Sequence, residues 1–163
     1  MRAVSTARAV EVPSCAEGQA RRAHRAAMDR RALVSRRLTR MLLPAAERAG
    51  GFTSAQLRVH PGGVAPARPP DAVLVLGEAP ADGLLLEAPA LACFVATGPA
   101  PPVDADFWLR HGALAVWQVG AAEVRVWTGA GQTVARAPDL LELALPPSPV
   151  SLRLPVTDVL KAR

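Results

Sequence analysis

The chain contains no tyrosine, isoleucine or asparagine, and its single lysine, Lys161, stands next to the C-terminus. Aromatic residues make up 4% of it, and there are two cysteines and three histidines. Each shortage excludes something. A reaction that leans on a lysine ammonium finds none within the body of the chain. Cys15 and Cys93 have neither Cys-x-x-Cys nor Cys/His spacing, so nothing calls for a disulfide or an oxidising compartment. His24, His60 and His111 are spaced with no second ligand, which removes zinc. A Gly-x-Ser-x-Gly nucleophile elbow is missing. No apolar run approaches the ~20 residues of a membrane span, and Met-Arg-Ala-Val-Ser-Thr-Ala-Arg lacks the apolar core of a secretory signal. The expected setting is the cytoplasm, with no membrane partner.

What is present is alanine, arginine, proline and glycine in abundance, the profile of a high-GC bacterial genome, where arginine is partly the default basic residue. The 163 residues suit one domain over 16–163, preceded by a flexible arm over 1–15. Net charge is +5, but it is unevenly spread. Residues 1–50 hold eleven arginines against Glu11, Glu17, Asp29 and Glu47, a net of +7, and the remainder is at −2. The basicity therefore belongs to the N-terminal arm and the first helix. A solvated arginine face is one reading of it, and a phosphate-contacting face built on Arg30, Arg31, Arg36, Arg37 and Arg40 is the other.

That helix is expected over Gly18–Leu43, without interior Pro or Gly. Leu33, Val34, Leu38, Met41 and Leu42 form its apolar stripe, to pack on a sheet with the arginines outward. Pro44 should end or kink it, with Ala45–Ala49 as a final turn before Gly50-Gly51. Strands follow over Ser54–His60, Ala72–Leu76 and Leu91–Ala96, then a stiff connection over Gly98–Val103 and a short helix over Asp104–His111 stopped by Gly112. Leu114–Val119 and Glu123–Trp127 read as a hairpin, Thr133–Arg136 as a further strand and Val150–Leu154 as another. Trp108, Trp117 and Trp127 fit a core better than a base-stacking surface. Strands and helices in this mixed order indicate an α/β (α+β) fold.

Three segments carry a resemblance: Pro-Pro-Asp-Ala-Val-Leu-Val (69–75), Ala-Pro-Ala-Leu-Ala-Cys-Phe-Val (88–95) and Phe-Trp-Leu-Arg-His-Gly-Ala-Leu-Ala-Val-Trp-Gln-Val (107–119). In order and spacing the chain resembles the Uma-type family of restriction endonucleases, within the PD-(D/E)xK nuclease fold, over roughly residues 30–160. The resemblance implies a restriction-endonuclease-like core: a mixed β-sheet flanked by helices, with a long N-terminal helix. It also implies Mg²⁺-dependent hydrolysis of DNA, with Asp71 as the catalytic and metal-binding carboxylate.

The other letters of that motif differ. Phe94 stands at the position of the second metal-binding carboxylate, and Ala90 at the Asp of the Pro-Asp-Leu pattern. Asp104 occupies the lysine position, and Ala96 the position two residues after the Glu, where the commoner motif has its lysine. Hydrolysis by such a site needs a hard cation held by oxygens from at least two side chains, and a cation beside the nucleophile. Either Asp104 joins a rearranged metal site, or the site is dead or impaired. Asp82 and Glu87 are the other carboxylates near enough in sequence to substitute. Two functions follow as expectations: a nuclease-like protein with a degenerate site, using no cofactor unless Mg²⁺ in an active form, or a non-catalytic module contacting nucleic acid or protein through the arginine-rich helix. DNA is the implied partner, and a homodimer is an assembly open to either.

Overall fold

The computed structural model describes residues 15–55, 57–96 and 102–161. The arm expected over 1–15 lies almost wholly outside the described residues, as does much of the Gly98–Val103 connection.

The first helix, α1, runs from Cys15 to Arg48. Its C-terminal half carries a narrow buried stripe: Val34, Leu38, Leu42, Ala45 and Ala46 are at most 6% exposed. Burying each Leu or Val of that stripe contributes about 1.5–3 kcal/mol. One expectation needs correcting. Leu33 is 58% exposed, because neighbours on a helix are about 100° apart, and Leu33 falls to the outer side of Val34. Pro44 lies inside the helix, and the turn expected after it runs on through Arg48. An interior proline costs about 3 kcal/mol, and burial of Leu42, Ala45 and Ala46 on either side of it offsets that cost.

A six-stranded mixed sheet follows, ordered β1 (Gly51–Ser54), β3 (Ala72–Leu76), β5 (Leu91–Val95), β6 (Ala115–Val119), β7 (Val124–Thr128) and β8 (Gly131–Ala135). Within this sheet only the β5–β6 pair is parallel, and the crossover between them holds α2 (Ala105–Arg110). The central strands are continuous apolar runs, Ala-Val-Leu-Val-Leu and Leu-Ala-Cys-Phe-Val, because both their faces are covered. At the edge, Gly51 lies so close to β3 that an added Cβ would stand 2.0 Å from the Val75 carbonyl oxygen. Only glycine fits there.

The expected strand Ser54–His60 is instead two pieces in different sheets: the end of β1, and β2 (Arg58–Val59), which pairs in parallel with β4 (Leu84–Leu85). β9 (Leu140–Ala144) pairs with β10 (Ser151–Pro155), and α3 (Val156–Leu160) closes the described chain. One face of the sheet packs Leu74, Cys93, Trp117 and Val119 against α1, the β9–β10 hairpin and α3. On the other, Val73, Phe94 and Val116 pack against Trp108 of α2 and Val59 of β2. Trp108 and Trp117 are core as expected, and Trp127 is half-buried against the second cluster. This is a mixed α+β fold with a long N-terminal helix, as the resemblance implies.

Candidate functional site

Asp71 ends the Pro-rich approach to β3 and is itself buried, at 7% exposure. Its backbone N–H donates to the Cys93 carbonyl (2.8 Å), which extends the β3–β5 pairing by one residue and sets Asp71 against the C-terminal end of β5. Both carboxylate oxygens are engaged. Oδ1 accepts from Arg31 Nε of α1. Oδ2 accepts from the Val95 N–H (2.7 Å) and faces Arg68 Nη2 at 3.4 Å. The Asp71 carbonyl accepts from Ser35 Oγ, one helical turn beyond Arg31 on the same side of α1.

Arg68 reaches further. Its Nη2 donates to the Val95 carbonyl at 2.9 Å, and its guanidinium carbon lies 5.4 Å from the centre of the Phe94 ring. Arg68 Nη1 is a buried side-chain nitrogen without a hydrogen-bond partner among the described residues. Phe94 is 1% exposed and also meets Trp108, with ring centres 6.0 Å apart. Burial pushes the neighbouring Cys93 thiol well above its ordinary range, and the Asp71 charge adds to the shift.

The other motif positions are spread out. Asp104 is exposed at the start of α2 and caps it, accepting from the Phe107 N–H at 2.9 Å. Asp82 caps its own turn, accepting from the Leu84 N–H at 3.1 Å, and Glu87 is exposed. Neither meets Asp71. Ala96 lines a cleft of about 290 Å³ at the C-terminal ends of β5 and β6, with Val95, Gly120 and Ala121 on one side and Ala27, Arg30 and Val34 on the other.

A divalent cation fits this arrangement poorly. It would need oxygens from two or more side chains, but both Asp71 oxygens are already met by cations or an N–H donor, and Phe94 beside Val95 supplies none. Among the described residues no three His, Cys, Asp or Glu side chains come together in a way that could hold a metal.

Of the five arginines singled out on α1, Arg30, Arg36 and Arg40 are exposed and Arg37 donates to the Lys161 carbonyl at 2.6 Å. Arg31 turns inward, a correction to the outward face expected of all five. A signal for this was present. Arg31 precedes Val34, Ser35 and Leu38 by three, four and seven residues, so it lies on the buried stripe. Arg68 carried no such signal, because it lies in an irregular loop without periodicity.

The class defined here is one of fold: a mixed α+β fold with a six-stranded sheet and a long N-terminal helix. Among solved structures the chain is similar to one described as "a putative nuclease belonging to DUF820 from Anabaena variabilis", with a TM-score of 0.64 over 82% of this chain and 81% of that one. The two sequences are 15% identical, so the likeness is one of fold. No protein-family model matches the chain, and no curated protein does. No helix among the described residues is long and apolar enough to cross a membrane.

Proposed function

We propose that this chain is a nuclease-fold protein whose hydrolytic site is degenerate, so that it does not cleave DNA. The observation that carries the reading is that both oxygens of the buried Asp71 carboxylate are taken by Arg31, Arg68 and the Val95 N–H, while the adjacent residue of β5, Phe94, is a buried ring that offers a metal no oxygen. Ala96 supplies no cation, and Asp104 is occupied as a helix cap. Electrostatic stabilisation is usually the largest catalytic term, and loss of one donor alone costs about 10²–10³ in rate. Losing a ligand and the lysine together costs more, though the losses need not add. Purified protein with Mg²⁺ or Mn²⁺ is expected to leave plasmid and single-stranded DNA intact. Metal-dependent cleavage that Asp71→Ala abolishes would overturn the reading.

A second reading has its own observation. Arg22, Arg25, Arg36 and Arg40 are exposed and fall on one side of α1, away from the buried stripe, and Arg30 lines the cleft beside Ala96. Such a row suits a phosphate backbone and makes the chain a nucleic-acid-binding module that has kept the fold without the chemistry. Binding should then weaken steeply with salt through counterion release, and Arg36→Ala or Arg40→Ala should each lower the salt slope by about 1. Salt-independent binding, or none at low salt, leaves a solvated face.

A further inference from the structure

We propose that the guanidinium of Arg68 is the resident cation of the Asp71 site, held by the ligands that a metal ion would otherwise use. Three groups converge on it: the Asp71 carboxylate through Oδ2, the Val95 carbonyl through a 2.9 Å hydrogen bond, and the Phe94 ring at 5.4 Å. The first two are oxygen donors of the kind hard cations take. The third presents the negative face of an aromatic quadrupole, which attracts a guanidinium and offers a metal such as Mg²⁺ no oxygen. Phe94 and Arg68 thus belong together. A carboxylate at position 94 would serve a divalent ion, whereas a phenyl ring serves a planar organic cation.

Arg31 completes the arrangement from the far side, taking Oδ1 and leaving Oδ2 to Arg68 and the Val95 N–H. Arg68 is only 18% exposed and the Asp71 side chain 6%, so the pair is largely withdrawn from water. A guanidinium suits this place better than an ammonium, because its Nη2 bridges two acceptors while its central carbon stays within 5.4 Å of the ring centre. The inference shares with the proposed function the loss of the metal, and adds what has taken its position.

The test reads cation binding rather than cleavage. Mn²⁺ titration followed by electron paramagnetic resonance should show no saturable binding to the wild type. Saturable binding that Asp71→Asn removes would overturn the inference, even if no DNA is cut. The double variant Arg68→Ala/Phe94→Glu, shown to be folded by circular dichroism, should gain saturable Mn²⁺ binding that Asp71→Asn then removes. A folded double variant that binds no Mn²⁺ would equally overturn it. Should that variant fail to fold, thermal melts of Arg68→Gln and Arg68→Lys decide. Gln should lower the melting temperature and Lys recover only part of the loss, while an unchanged melting temperature for Gln overturns the assignment. Cleavage by a metal bound elsewhere would sink the proposed function and leave this inference standing.

Discussion

Two carboxylates in this molecule are each held by a pair of arginines, and they sit in opposite surroundings. Asp71 has Arg31 and Arg68, with its side chain 6% exposed and theirs 29% and 18%. Glu123, on the turn between β6 and β7, has Arg125 at 3.2 Å and Arg136 at 2.7 Å, with its own side chain 25% exposed and those of the arginines 53% and 66%. By distance alone the surface trio is as well made as the interior one. What differs is what water would do for each group if its partners left. A solvated carboxylate exchanges one set of hydrogen bonds for another, so exposed pairs add little. A buried one has no such exchange, and its partners are stranded with it. Number and distance of ion pairs therefore say less about their worth than where the pairs stand.

The largest test of that contrast is Asp71→Ala, which leaves two guanidinium groups facing an apolar sheet end. We expect a loss of about 3 kcal/mol in denaturant unfolding, near the low end for a broken buried pair because Arg31 keeps some contact with water. A loss no larger than that of an ordinary surface substitution would erase the distinction. Ser35→Ala should come next. It removes the hydroxyl that donates to the buried Asp71 carbonyl and should cost about 1–2 kcal/mol, with a cost near zero showing that α1 is anchored without it.

Glu123→Gln should have the smallest effect, with no measurable change in melting temperature at neutral pH and physiological salt. Hydrogen bonds from Arg125, then Arg136, hold the Glu123 carboxyl below its ordinary value of 4.5. Because the folded value is lowered, any stabilisation is complete above that ordinary value and disappears as pH falls below it. Melts in low salt should show the two proteins converging in acid. A difference that persists there, or in molar salt, would mean that Glu123 is not the surface counterpart described.

Much of the fold was legible because its signals are local. The apolar runs of β3 and β5, the β6–β7 hairpin and the glycine stop after α2 each depend on a handful of adjacent residues. β9 escaped, although Leu141, Leu143 and Leu145 alternate with exposed neighbours in the period of a half-buried strand. The position of Asp71 at the head of β3 could be read from the Pro-Pro-Asp run before an apolar strand. Its partners could not be found that way. Arg31 lies 40 residues away on another element, and Arg68 acts through a loop whose course only the folded chain defines. A motif marks where a charge stands, and the pairing of that charge is decided by tertiary structure.

α1 is one helix in geometry but not in how easily it opens. Through residues 19–30 nearly every side chain is exposed, while from Arg31 to Ala46 one side is locked to the sheet. Twelve residues of helix span about 18 Å, and an unsupported helix of that length is marginal in water. Its amides can therefore open without disturbing the core, whereas those next to Ser35 and Leu38 can open only with the sheet. Arg30 and Arg31 are neighbours in sequence, yet the boundary between these two regimes of local unfolding runs between them.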